Sequence, residues 1–127
     1  MFGTSKAYSG FAVDDIGRAD EFYRGTLGLR TTRSQEMGQN LMTVHLADGR
    51  DVLVYEKPDF TPATYTILYF PVNDVEAAVD RLAENGITLE RYDMVEHDDK
   101  GLMRDPSGPA IGWFRDPAGN TLAVLQE

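Results

Sequence analysis

The chain has 127 residues, 42% of them hydrophobic and 26% charged, a balance that suits one soluble domain able to bury a core. With 21 acidic against 12 basic residues its formal net charge is −9, which repels nucleic-acid phosphates and anionic membranes, so neither is expected as a partner. Cysteine is absent, which excludes disulfides, thiolate metal sites and a cysteine nucleophile, and no run reaches the roughly 18–20 apolar residues of a membrane span.

The opening MFGTSKAYSG lacks the basic and apolar regions of a secretory signal, so a cytoplasmic location is expected. The chain then announces a duplication. FAVDDIGRADEFYRGTLGL is echoed by FPVNDVEAAVDRLAENGI, with Phe11, Val13, Asp15 and Ile16 matching Phe70, Val72, Asp74 and Val75 at a constant offset of 59. Each segment reads as a strand, an acidic N-cap and an amphipathic helix. Asp15 and Asp74 can accept the orphan amide hydrogens of a first helical turn. Ile16, Ala19, Phe22, Tyr23 and Leu27 then share one helical face, as do Val75, Ala78, Val79 and Leu82, and Gly28 and Gly86 end the two helices. Such stripes are core.

Strand-like stretches follow each helix. After the first come Leu29–Ser34, Leu41–Leu46, a turn at Ala47-Asp48-Gly49, and Asp51–Glu56. After the second come Thr88–Met94, Ala110–Phe114, a turn at Asp116-Pro117-Ala118-Gly119, and Thr121–Gln126. Pro58 and Pro62 interrupt the link at Lys57–Ala63. The pattern is βαβββ written twice, about residues 1–60 and 61–127 of a single α+β domain. One such unit covers only one face of its sheet with its helix. Two units facing each other are expected to form a curved eight-stranded half-barrel around a central cavity, with the helices outside.

VDDI followed by EFY and TLGL is similar to the first-helix signature of the vicinal oxygen chelate superfamily, which includes glyoxalase I, extradiol dioxygenases and bleomycin-binding proteins. WFRDPAGNTLAVLQE resembles that family's final hairpin. The resemblance covers nearly the whole chain; it implies the fold above and a homodimer. It also implies four metal-ligand positions, one on the first strand and one on the last strand of each repeat. Counting from the signature Val residues gives Tyr8 and Ile67. Counting from D-P-x-G gives Ala123, and matching VLVYEKP to TLAVLQE at an offset of 69 gives Val54. Val, Ile and Ala donate nothing to a metal, and a tyrosine, with a pKa of about 10, is a poor sole ligand. Divalent metals of this class take about three protein N or O ligands, so no metal and no other cofactor is expected.

Strand alternation projects the remaining lining. Tyr8, Gly10 and Ala12 share one inner face; Tyr65, Ile67 and Tyr69 share another; Val52, Val54 and Glu56 line one final strand, and Thr121, Ala123 and Leu125 the other. His45 joins the Val52/Val54 side across its turn, and either Trp113 or Phe114 points inward. The candidate ligand-binding set is therefore Tyr8, His45, Val54, Glu56, Ile67, Tyr69, Trp113 and Ala123. Its mostly apolar character with few polar groups suits a small molecule, although Tyr65, Tyr69 and Trp113 serve a closed core equally well.

No catalytic residue is assigned. His45 on a half-buried strand reads as structural, and His97 in EHDDKG as solvated. The second repeat gains roughly ten residues around Glu96–Pro109, where Leu102, Met103 and Arg104 are expected to form a lid. The reading is a metal-independent protein that binds a small molecule such as an antibiotic. The alternatives are a glyoxalase-like lyase, isomerase or dioxygenase using ligands such as His45 and Glu56, and a structural or regulatory dimer without pocket chemistry.

Overall fold

Both helices open on the residues that the sequence nominates. In the computed structural model, which describes residues 1–127, the Asp15 carboxylate accepts from the Arg18 amide at 3.1 Å and that of Asp74 from the Ala77 amide at 3.1 Å. The chain divides into two compact units, Met1–Pro62 and Ala63–Glu127, with the boundary inside the predicted link. The fold class is α+β, with seven strands in two sheets and two helices.

The first unit runs β1 (Ser9–Val13), α1 (Ile16–Asp20), β2 (Arg30–Glu36), β3 (Gln39–Leu46) and β4 (Arg50–Glu56). A π-helical segment, Glu21–Thr26, prolongs α1. The sheet order is β1-β4-β3-β2, with β1 parallel to β4 and the other pairs antiparallel. Ile16, Ala19, Phe22 and Tyr23 bury the predicted helical face. The Tyr23 ring lies 5.7 Å from that of Phe11, which fixes the Phe11/Val13 side of β1 as the side against the helix.

The second unit runs β5 (Thr66–Val72), α2 (Val75–Glu84), β6 (Ile111–Arg115) and β7 (Thr121–Gln126), ordered β5-β7-β6. Val75, Val79 and Leu82 bury one side of α2. The expected strand at Thr88–Met94 does not form, so this unit has three strands and the protein seven. The outer edge of β6 is shared instead: Trp113 accepts from the Glu90 amide at 2.7 Å, and Met103 bridges Ile111 in both directions. With its edge divided between two segments, β6 has no length left for a full ladder with either.

The D-P-A-G-N turn between β6 and β7 is closed by its own polar residues. The Asn120 amide donates to Asp116 Oδ1 at 2.8 Å, and the Asn120 side-chain amide donates to Asp116 Oδ2 at 3.2 Å. Asn120 Oδ1 also accepts from the Ala63 amide at 3.2 Å, tying the turn to the chain that leads into β5. Both side chains are buried, so the signature that marks the family hairpin is a structural lock.

Candidate functional site

Register decides which side chains face away from the helix. In the first sheet Phe11 pairs with Val54 and Val13 with Glu56, whereas Gly10 pairs with Leu53 and Ala12 with Tyr55. Continuing through β3 and β2, the face opposite α1 carries Ala12–Tyr55–Leu41–Ser34 in one row and Gly10–Leu53–Thr43–Thr32 in the next. A third row holds Asp51, His45 and Arg30. Leu41, Leu53 and Tyr55 are only half-buried. Gly10 keeps the β1 side of this face low: a Cβ there would lie 3.2 Å from the Leu53 carbonyl oxygen. Tyr8, just ahead of β1, is 70% exposed.

Three sequence expectations are corrected here. Val54 is fully buried on the helix side, opposite Phe11, and Glu56 is on that side too. Glu56 Oε2 accepts from the Ile16 amide at the start of α1 at 3.0 Å, and its Oε1 accepts from the Asn40 side chain at 3.1 Å. The cause is one residue of counting. In the second unit Gln126 Oε1 accepts from the Val75 amide at the start of α2, so Glu56 corresponds to Gln126, and the last strands match at an offset of 70. The position equivalent to Ala123 is therefore Leu53, and the face expected to carry Val52, Val54 and Glu56 carries Asp51, Leu53 and Tyr55. His45 shares that face with Leu53, not with Val54.

The second sheet keeps the predicted faces at its centre. Tyr69, Ala123 and Trp113 stand side by side across β5, β7 and β6, and Phe114 is buried opposite Leu122 on the helix side. Trp113 is thus on the face away from α2, half-buried and edge-on to Tyr92 at 5.5 Å. Tyr69 is 59% exposed, whereas Ala123 is fully buried in the row between them. Ile67 does not extend that face by regular alternation. The pairing skips from Thr66 to Leu68, so the alternation that would carry Ile67 beside Tyr69 is broken there.

The metal positions do not fit a metal. Tyr8 and Leu53 in one unit, and Ile67 and Ala123 in the other, supply one phenol and three hydrocarbon side chains. No group of three or more His, Asp or Glu side chains gathers anywhere in the structure. The rival ligand pair is also separated: His45 lies on the open face and Glu56 on the helix face of the same sheet.

His45 is held at both ring nitrogens, Nδ1 at 3.0 Å from Asp51 Oδ1 and Nε2 at 2.7 Å from Thr32 Oγ1. Sequence reasoning missed this chain because its three members sit on three strands. Only the β2–β3–β4 register brings positions 32, 45 and 51 together.

The Glu96–Pro109 segment, where the sequence suggests a lid, packs on the α2 side of its own sheet. Leu102 is fully buried, close to Gly112, which pairs with Val124 on the α2 side. Arg104 reaches Glu76 of α2 at 3.4 Å, and Lys100 reaches Asp80 of α2 at 2.6 Å. Nor is His97 solvated: its Nε2 accepts from the Tyr92 amide at 2.9 Å, and its Nδ1 lies 2.8 Å from the Gly101 carbonyl. Asp98 organises the loop. Partial burial opposes its ionisation, but the Arg104 guanidinium and the amides of Leu102 and Lys100 outweigh that and hold its carboxyl below the usual carboxylate range.

No helix is long and apolar enough to cross a membrane. Among known proteins, no curated relative matches. Solved structures do. The chain is 21% identical to TnmS3, an antibiotic binding protein from Streptomyces sp. CB03234, covering 97% of each chain with a TM-score of 0.73. It is 23% identical to a lactoylglutathione lyase from Agrobacterium tumefaciens, over 97% of this chain and 93% of the other, TM-score 0.68. It is 12% identical to the fosfomycin resistance protein FosX from Listeria monocytogenes, over 98% and 93%, TM-score 0.72. At these identities the likeness speaks for fold, not chemistry. The profile of one family spans residues 7–124, nearly the whole chain, and by that match the protein belongs to the Glyoxalase/Bleomycin resistance protein/Dioxygenase superfamily.

Proposed function

We propose that this protein binds a small organic molecule, of the antibiotic kind, without a metal ion. The observation that carries the reading is the open face of the first sheet. Leu41, Leu53 and Tyr55 present half-exposed apolar surface there, with the Thr43 hydroxyl alongside as a polar group that can orient a ligand. A mostly apolar area with a few fixed polar groups is the ordinary make-up of a small-molecule site. The Leu53 row is where relatives with a metal would need a donor, and it offers hydrocarbon instead. The antibiotic-binding neighbour supports this ligand class, and the net charge of −9 favours a neutral or cationic molecule. Tyr69 and Trp113 offer aromatic surface of the same kind in the second unit. Family precedent makes a homodimer the expected assembly.

A thermal-shift screen of small aromatic compounds and antibiotics, run in excess EDTA, tests the reading. A compound that binds only the native state raises the midpoint. Leu53→Glu, which puts a charge into the centre of the open face without touching the helix side, is expected to abolish that rise. Retention of the full shift by this variant would move the site elsewhere, and loss of every hit on chelation would restore the metal.

A further inference from the structure

The hydrogen-bonded chain on the first sheet has the parts of an activated nucleophile. An ionised carboxylate only accepts hydrogen bonds, so Asp51 fixes the proton of His45 on Nδ1. In the neutral imidazole Nε2 is then a lone pair, to which the Thr32 hydroxyl at 2.7 Å donates. A hydroxyl bonded to an imidazole, itself oriented by a carboxylate, is the arrangement that makes an alcohol oxygen nucleophilic, whatever fold carries it. The surroundings suit attack from solvent. Thr32 is exposed on β2, the edge strand, where alternate amide hydrogens have no ladder partner. Arg30, directly across from His45, has no ion-pair partner and can meet a developing negative oxygen.

We propose that Thr32, His45 and Asp51 form a catalytic centre for the hydrolysis of activated carboxylic esters. The inference rests on hydrogen-bond geometry and stands or falls separately from the binding reading. Thr32 Oγ1 attacks the ester carbonyl carbon. The new O–C bond forms as the carbonyl π pair moves onto oxygen, and the hydroxyl proton passes to His45 Nε2. The tetrahedral intermediate collapses, its C–O bond to the leaving alcohol breaks, and Nε2 returns the proton to that alcohol. Water then attacks the acyl-threonine with His45 again as base, releasing the acid and restoring the hydroxyl. Ester and water give acid and alcohol, and no other reactant is needed.

p-Nitrophenyl acetate at neutral pH is the probe. Wild-type protein should release nitrophenolate in a burst approaching one equivalent per chain, and acid quenching should trap one acetyl group on the peptide that contains Thr32. Thr32→Ser should keep the burst, while Thr32→Val and His45→Gln should lose it. Asp51→Asn should slow acylation by about a hundredfold or more, in the range removed when general-base catalysis is impaired. Ellipticity in the near ultraviolet shows that each variant is folded, and Thr32→Ser keeps the test decisive if the valine variant is not. Absence of acylation in the wild type, acetyl groups on lysine rather than Thr32, or an undiminished burst in Thr32→Val would each overturn the proposal.

Discussion

Glu56 and Gln126 occupy the same place in the two units, each accepting the first free amide of a helix from the end of the last strand. A Gln keeps the acceptor for the helix amide but meets the Asn40 side-chain amide with an N–H in place of Oε1, so Glu56→Gln is expected to cost about 0.5 kcal/mol, less than alanine. Glu56→Ala removes the acceptor and should cost about 1 kcal/mol, the usual worth of an N-terminal cap. Urea unfolding of both variants reads the difference, and equal losses would show that the carboxylate acts only through its charge. Gly101 is constrained more tightly, because its φ is +94° and a Cβ there would come within 2.8 Å of Leu89 Cβ. Gly101→Ala should therefore destabilise by about 1–3 kcal/mol, as overpacking typically does. The cap residues Asp15 and Asp74 were legible from sequence because capping is a local affair. The role of Glu56 was not, since it depends on a partner 40 residues away.

The position of the insertion after α2 was legible in the sequence; the side on which it packs was not. Its length and polar composition suit a lid, but composition does not say which side of a sheet a loop will cross. Two glycines settle it: Gly101 and Gly112 leave room for Leu89 and Leu102 to pack on the α2 side. The polar residues then serve as fasteners, with Arg104 and Lys100 on α2 and Asp98 receiving the Leu102 and Lys100 amides. Because the Asp98 carboxyl is held below its unfolded value, it contributes stability that is present above about pH 4 and lost as pH falls through the folded value. The protection factors of the Leu102 and Lys100 amides should fall in that acid window while those of the α2 amides hold. Asp98→Asn should bring the same loss of protection at neutral pH. Uniform loss of protection across the second unit would mean that the loop is not a separate opening element. His97 belongs to the same device: His97→Ala leaves the Tyr92 amide and the Gly101 carbonyl without partners and should cost about 1–3 kcal/mol by chemical denaturation.

For the molecule as a whole, duplication was the strongest signal, because two copies of strand, cap and helix must agree in spacing. That agreement carried the fold class and the family. The strand faces that frame the candidate site were legible by halves. Alternation from Tyr69 to Ala123 and Trp113 held in the second sheet, where the final turn gave the count a fixed origin. In the first sheet a slip of one residue exchanged Val54 and Glu56 for Leu53 and Tyr55, since a strand presents opposite faces at successive residues. No local pattern marks such a slip when both faces are apolar. The absence of metal donors survives the correction, because Leu53 is no better a ligand than Val54. The most direct test of a metal-free binder joins two readings on one preparation: metal content by elemental analysis, and the ligand-induced rise in unfolding midpoint before and after chelation. Metal well below stoichiometry with an unchanged rise is the predicted result. Stoichiometric nickel, zinc, iron or manganese, with a rise that vanishes on chelation, would contradict it.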